Sequence, residues 1–350
     1  METLVFSQGI IDEIIRVLLF GFLGFAIAML LTPVYTHFAY RHRWWKKQSS
    51  AGLDGKSTSV YTKLHAAKHR RNIPTMAGLL ILVTVLTITL LLNLSREQTY
   101  LPLAAFVGAG LIGLIDDVLP ILGRGDKRIS GLRVRQKLLM ILAVALVGGM
   151  YFYTRLNYDS IFIPFINGGT EWRIGAFLVP LFALVVVATA NAVNITDGLD
   201  GLAGGLTLFA YSAFGSIAFL QGNYGIAGFC LSVVGALLAY TWFNIYPARF
   251  FMGDVGSFAL GTGLGVVAML TNTLVILPII GAVFVFETVT VIIQQLSKKF
   301  RGKKIFLSTP IHHHFEAIGW PETKVTMRFW VIGLVAGILG VVLALLGGSV

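Results

Sequence analysis

Residues 174–201 read IGAFLVPLFALVVVATANAVNITDGLDG. The first 20, Ile174–Val193, are uncharged and long enough to cross a bilayer's hydrocarbon core as one helix. The run then breaks at Asn194-Ile-Thr-Asp197-Gly-Leu-Asp200-Gly201, and a second apolar run, Leu202–Leu220, starts at once. Two spans joined by a tight acidic turn describe a chain that crosses a membrane repeatedly. The turn, which puts carboxylates at the membrane boundary, is where chemistry is expected.

The same pattern extends in both directions. Apolar runs predict ten spans, at Val17–Phe38, Thr75–Leu94, Tyr100–Ile115, Leu138–Tyr153, Ile174–Val193, Leu202–Leu220, Tyr224–Phe243, Val255–Leu270, Thr273–Leu296 and Phe329–Leu346. The stretch from Val255 to Phe286 has no charge and is too long for one helix, so it is divided at Thr271-Asn272. Composition agrees, with 56% hydrophobic and only 12% charged residues, about half the charge of a soluble domain. Mean hydropathy is +0.81. A single cysteine, Cys230, excludes an internal disulfide framework and a cysteine metal site. The first residues lack the basic start and small-residue cleavage site of a signal peptide, so the first span is expected to be retained. The fold class predicted is an all-α polytopic membrane protein of ten helices, with residues 1–350 forming one domain.

The net charge of +11 reflects sidedness rather than nucleic-acid binding. Segments 39–73, 118–137, 244–254 and 297–328 hold 23 of the 27 Lys and Arg residues, and the alternate side holds only Arg16, Arg96, Arg155 and Arg173. The positive-inside rule then puts both termini outside and the basic loops in the cytoplasm. Those loops also attract anionic substrates and headgroups.

Five aspartates fall at the cytoplasmic boundary in this topology. Asp116-Asp117 closes the third span, Asp197 and Asp200 follow the fifth, and Asp254 opens the eighth. Carboxylates so gathered repel one another unless a cation or protonation relieves them. Mg²⁺ prefers carboxylate oxygens and shares its shell with substrate phosphates, so a magnesium–phosphate site at the inner face is expected. Each motif also has a plainer reading: an interfacial pair for Asp116-Asp117, a helix cap for Asp197 or Asp200, and a turn for Asp254 between Gly253 and Gly256. Their common side is what joins them. His312-His313-His314 reads either as a solvated loop or as a phosphate- or sugar-binding group. Glu287, inside the ninth span, either pairs locally or lines a polar groove.

The segments Leu114-Ile-Asp116-Asp117, Asn191-Ala-Val-Asn194-Ile-Thr-Asp197-Gly-Leu-Asp200-Gly-Leu-Ala203, Phe243-Asn244-Ile-Tyr-Pro-Ala248, Phe251-Met-Gly-Asp254-Val-Gly-Ser257 and Pro310-Ile-His-His-His-Phe-Glu316-Ala-Ile-Gly-Trp320 resemble the bacterial phospho-N-acetylmuramoyl-pentapeptide transferases. These belong to the polyprenyl-phosphate N-acetylhexosamine-1-phosphate transferases. The resemblance runs from about Tyr61 to Trp330, and the His triplet with Glu316 and Gly319-Trp320 resembles the muramoyl branch.

The resemblance implies ten helices, periplasmic termini and five cytoplasmic loops around a cleft in the bacterial inner membrane. It implies transfer of phospho-MurNAc-pentapeptide from UDP-MurNAc-pentapeptide to undecaprenyl phosphate, giving lipid I and UMP in peptidoglycan synthesis. Asp254 matches the family's magnesium ligand, and Asp116, Asp117 and Asp197 its essential acids. Mn²⁺ is expected to substitute for Mg²⁺. Gly198, Leu199, Asp200, Asn244 and Phe251 match its uridine pocket. Asn194, Lys137 and His312, His313 and His314 are assigned to substrate phosphate and sugar, with Lys127 as a further cation. The lipid is expected in a groove beside a bent ninth helix carrying Glu287. Membrane lipids are expected partners, a homodimer is left open, and nucleic acid is not expected.

One motif departs from the pattern. The family usually reads Lys-x-Gly-Thr-Pro-Thr-Met-Gly-Gly where this chain has Arg70-Arg-Asn-Ile-Pro74-Thr-Met-Ala-Gly78. Arg70 replaces the nucleotide-contacting lysine, with Lys68 an alternative. One-step attack, with Asp116 orienting or deprotonating the acceptor, and an aspartyl-phosphate route both remain open. Against a transporter stands the placement of the acids at the boundary rather than mid-membrane. Within the enzyme class, an N-acetylglucosamine-1-phosphate transferase is the alternative.

Overall fold

The computed structural model describes residues 7–45, 72–122, 131–166 and 169–349. The helices are α1 (Gln8–Arg41), α2 (Gly78–Leu92), α3 (Tyr100–Leu122), α4 (Val134–Thr154), α5 (Leu178–Thr196), α6 (Leu202–Leu220), α7 (Tyr224–Asn244), α8 (Gly253–Leu270), α9 (Leu277–Ile280), α10 (Ala282–Arg301), α11 (Ile311–Ala317) and α12 (Glu322–Leu346). Between α4 and α5 lies an antiparallel hairpin, β1 (Ser160–Ile163) with β2 (Thr170–Arg173), pairing Ser160 with Arg173 and Ile163 with Thr170. The sequence reading contained no strand.

Among the described residues, eight helices are long and apolar enough to cross a membrane. The protein is therefore a helical, multi-pass membrane protein. The two remaining expected spans differ from that description. α2 has only 15 residues, about 22 Å of helix against a hydrocarbon core of about 30 Å. The expected span Thr273–Leu296 is broken at Gly281 into the four-residue α9 and the longer α10.

α8 is the centre of the bundle. From Val255 to Leu270 every residue is buried. It packs against α2, α3 and α5, and its glycines permit the approach. A Cβ on Gly113 of α3 would strike the backbone of Asp254 and Val255, and one on Gly78 would strike Gly256. Hydrocarbon surroundings provide no hydrophobic drive between helices, so close van der Waals contact through small residues takes its place. The same device joins α1 to α7, where Gly24 meets Ser232 and Gly235. Large side chains outside the bundle, including Leu18, Phe22 and Leu30 on α1 and Val331, Ile332 and Val335 on α12, are exposed. Such an apolar belt is the surface lipid would cover.

α10 is amphipathic with its polar stripe turned inward. Glu287, Thr290, Gln294 and Ser297 are buried, whereas Val285, Phe286, Val289, Ile292, Ile293 and Leu296 are exposed. The stripe fastens the chain that follows. Gln294 Oε1 accepts from the amides of Ile305 (2.9 Å) and Phe306 (3.1 Å), and Ser297 Oγ donates to Lys303 O at 2.9 Å. Lys298, Lys299 and Arg301 occupy its last turn, where cations suit the helix dipole.

The bundle has an acidic end and an opposite end. At the latter, Gln221 Nε2 donates to Thr271 O and Ser349 O, and Asn272 Oδ1 accepts from Phe162 N. The Thr271-Asn272 division is a turn there, as expected. α1 runs toward the acidic end, where Tyr35 Oη donates to Thr75 O at 2.6 Å. Both described chain ends therefore lie opposite the aspartates.

Candidate active site

The ends of α3 and α5 and the starts of α4 and α8 meet at the acidic end. α3 continues past the expected boundary at Ile115 and carries Asp116 and Asp117 within it, 4% and 0% exposed. Adjacent helical positions diverge by about 100°, yet both side chains reach the start of α8. Asp117 Oδ2 accepts from Val255 N at 3.1 Å. Asp116 and Asp254 are bridged by Lys137 of α4, whose Nζ lies 2.7 Å from Asp116 Oδ2 and 2.6 Å from Asp254 Oδ2. The other oxygen of Asp116 accepts from Leu132 N at 2.7 Å. Gly131, at φ +90°, makes that turn beneath the carboxylate.

One oxygen from each of Asp116, Asp117 and Asp254 lies within 4.8 Å of the others. Three hard oxygen donors converging on one point form a set a divalent cation can share, and the lysine marks where positive charge is wanted. Asp254 also stands in the first turn of α8, where the helix dipole favours an anion. Gly253 is at φ +75°, and a Cβ there would strike Asp117 Oδ2. The position therefore needs glycine for both its backbone and its space.

From α5, Asn194 Nδ2 donates to Asp254 Oδ1 at 3.1 Å and to Ser257 Oγ at 2.9 Å. Asp197 caps the C-terminal end of α5 three residues later, half-buried and outside the three-carboxylate group. The turn beyond it is stapled by five residues, one of them Thr326, whose Oγ1 donates to Asp200 O at 3.2 Å. Ala248 N donates to Asp200 Oδ2 at 2.9 Å, and Asp200 N donates to Glu322 Oε1 at 2.6 Å. Asn244 Oδ1 accepts from Gly201 N at 2.9 Å while its Nδ2 donates to Phe250 O at 2.8 Å. Trp330 Nε1 donates to Gly201 O at 3.1 Å. These contacts of Asp200 and Asn244 thus hold backbone in place. Leu199 is buried among them. Phe251 pairs with the segment before α2, its amide donating to Pro74 O and its carbonyl accepting from Ala77 N.

The triplet His312–His314 sits on α11 rather than in a solvated loop, and His312 and His313 are buried. His312 Nδ1 is 3.0 Å from Glu287 Oε2, both side chains being fully buried. His313 Nδ1 is 2.7 Å from Glu316 Oε2. His314 Nδ1 accepts from Leu307 N at 3.2 Å. A Cβ on Gly198 would strike the His312 ring, so the triplet abuts the turn after α5. Glu287 thus lies against His312 inside the bundle, with neither of its oxygens making a hydrogen bond. Arg70, Lys68 and Lys127 lie outside the described residues.

Sequence reasoning missed Ser257, Glu322 and the amides of Leu132 and Val255 as partners of the site. Backbone donors leave no mark in a sequence, and Glu322 is an ordinary helix-start acid until its target at Asp200 is seen.

A glycosyl transferase family 4 model matches residues 99–272, which contain Asp116, Asp117, Lys137, Asn194, Asp197 and Asp254. A phospho-N-acetylmuramoyl-pentapeptide-transferase of a Geobacillus species is 41% identical over 327 residues, covering 91% of this chain and 95% of that protein. A protein of the same name from Chloroflexus aurantiacus is 38% identical, covering 97% and 92%. The chain belongs to the phospho-N-acetylmuramoyl-pentapeptide transferase family. A third member, from Clostridium novyi, is 41% identical over 275 residues. Membership makes the chain a membrane-embedded phospho-sugar transferase. It bears out the resemblance carried by the acidic motifs and the His triplet.

Proposed function

We propose that the chain transfers phospho-MurNAc-pentapeptide from UDP-MurNAc-pentapeptide to undecaprenyl phosphate, releasing UMP and forming lipid I for peptidoglycan. The observation that carries this reading is one junction. An apolar cavity of about 290 Å³ between α5, α8, α9 and α10, lined by Leu184, Ala188, Leu264, Phe284 and Val289, ends at Val193. The next residue, Asn194, holds Asp254. An apolar cavity able to take the head-proximal part of a polyprenyl chain thus lies beside a polar acidic site, as joining a sugar phosphate to a polyprenyl phosphate requires.

Asp254, Asp117 and Asp116 would hold Mg²⁺, or Mn²⁺ in its place, and the ion would supply charge neutralisation to the diphosphate and departing UMP. Lys137 supplies fixed positive charge between Asp116 and Asp254 for the transferring phosphoryl oxygens. A lipid phosphate oxygen attacks the β-phosphorus of the donor, and the bond from that phosphorus to the bridging oxygen breaks as UMP leaves. A phosphate monoester is already largely ionised, its second pKa being about 6. Asp116 then needs only to orient the acceptor. Asn194 fixes Asp254, Asp197 is a further acid of the site at the end of α5, and Arg70 with the turn Gly198–Asp200, Asn244 and Phe251 receives the uridine nucleotide. His312, His313 and His314 meet the sugar-phosphate end.

The topology we infer has ten crossings of the bacterial inner membrane, counting α2 and the broken α9–α10, with both termini periplasmic and the site cytoplasmic. The placement of 23 of 27 basic residues supports it, as does the position of both described ends opposite the aspartates. The whole chain forms a single transferase domain.

Purified protein offered undecaprenyl phosphate with UDP-MurNAc-pentapeptide or, separately, UDP-N-acetylglucosamine tests the donor. UMP release with the muramoyl donor alone is expected. Release with only the glucosamine donor would reassign the substrate, and release with neither would refute the transferase reading.

A further inference from the structure

α1 is longer than a membrane crossing needs. Arg16 and His37 are 21 residues apart on it, about 31 Å of helix, which matches a hydrocarbon core of about 30 Å. With Arg16 at one headgroup level, His37, Tyr40 and Arg41 stand at the other, toward the acidic end. There an open cavity of about 660 Å³ is lined by Pro33, Thr36, His37, Tyr40 and Arg41 of α1 and by Arg249 from the segment between α7 and α8. None of these residues belongs to the site described above.

The two walls are joined. Tyr40 Oη donates to Arg249 O at 3.3 Å, Arg249 N donates to Phe243 O at 2.9 Å, and the Arg249 guanidinium lies 5.7 Å from the centre of the Phe243 ring. Both arginines are exposed, and among the described residues neither has a carboxylate partner. Two guanidiniums lining one cavity favour an anion between them, and their planar forks suit phosphate oxygens. Hydrocarbon continues the site toward the bilayer. Leu30, Val34, His37 and Arg41 succeed one another along one helix face. Leu30 and Val34 are exposed, as are Trp242 and Ile245 ahead of Arg249. A phosphate held by the arginines therefore has apolar surface beside it for attached chains, which favours a lipid over a free anion.

We propose that this cavity binds an anionic phospholipid of the leaflet at the acidic end, with its phosphodiester between Arg41 and Arg249 and its acyl chains along Leu30 and Val34. The lipid ties α1 to the segment that leads into the site, where Ala248 N bonds Asp200, Phe251 pairs with Pro74 and Ala77, and Asp254 follows. The binding does not rest on the transfer reading.

The test uses the full chain, delipidated in a neutral detergent, with neither donor nor acceptor present. Native mass spectrometry should show phosphatidylglycerol bound about tenfold more tightly than phosphatidylcholine, and the unfolding temperature should rise with phosphatidylglycerol alone. Inorganic phosphate at the same concentration should produce no rise. Arg41→Gln combined with Arg249→Gln should weaken phosphatidylglycerol binding about tenfold and abolish the rise. The lipid-free unfolding temperature should stay at the wild-type value, since both side chains are exposed. Lys303→Gln combined with Lys304→Gln removes the same charge from exposed positions outside the cavity, and should leave both readouts unchanged. Equal binding of phosphatidylcholine would overturn the proposal. So would an equal loss in the lysine pair, which would mean diffuse attraction, or an equal rise with inorganic phosphate, which would mean a free-anion site. Tighter binding of undecaprenyl phosphate than of phosphatidylglycerol, lost in the arginine pair, would overturn it in favour of a second acceptor site.

Discussion

At the residue scale, the site depends on where three carboxylates and one glycine are placed. Asp254→Asn keeps the bulk of the side chain and removes the charge that a hard cation and Lys137 both require. Turnover should fall by about two orders of magnitude or more, with thermal unfolding in detergent nearly unchanged. A variant that kept its rate and its dependence on added Mg²⁺ would remove Asp254 from the site. Gly253→Ala should act through structure instead. It forces an L residue to φ +75° and drives a methyl group at Asp117, costing about 1–3 kcal/mol and separating the carboxylates, to be seen as a lower unfolding midpoint together with lost activity. The sequence made the aspartates legible because acids at span boundaries need a reason. It left open whether Asp116 and Asp117 share a cleft, since the answer lies in where Val255 N and Leu132 N point.

At the element scale, three features decide how well the chain could be read. Eight spans were legible because uninterrupted apolar length is a sufficient signal. The hairpin Ser160–Arg173 was not, since β2 is exposed along its length and offers no alternating pattern. α10 falls inside the expected span Thr273–Leu296, where Glu287, Thr290, Gln294 and Ser297 recur at helical spacing and mark its inner face. Two helix contacts can be tested directly. Gly113→Val should push α3 from α8 at Asp254, lowering both stability and turnover, because overpacking a close helix contact costs about 1–3 kcal/mol. Gln294→Ala removes the acceptor of the Ile305 and Phe306 amides. Limited proteolysis should then cut 302–310 faster than in the wild type, and an unchanged cleavage rate would show that this stripe does not hold the segment.

At the scale of the whole molecule, the chain has a one-sided charge distribution, a bundle with chemically different ends, and an apolar cavity that reaches Val193, next to the residue that holds Asp254. Cysteines placed at 96–99 and 221–223 should react with an impermeant reagent from outside intact cells, whereas those at 300–305 should react only after the membrane is opened. The reverse pattern would invert the topology and put the acids on the wrong face. The central claim concerns which bond is exchanged, and isotopic labelling of the donor tests it most directly. With UDP-MurNAc-pentapeptide labelled at the β-phosphorus, purified protein and undecaprenyl phosphate should move the label into the lipid product. With the α-phosphorus labelled, the label should leave as UMP. A β-label recovered in UDP, or in water-soluble phosphate without lipid product, would contradict the account.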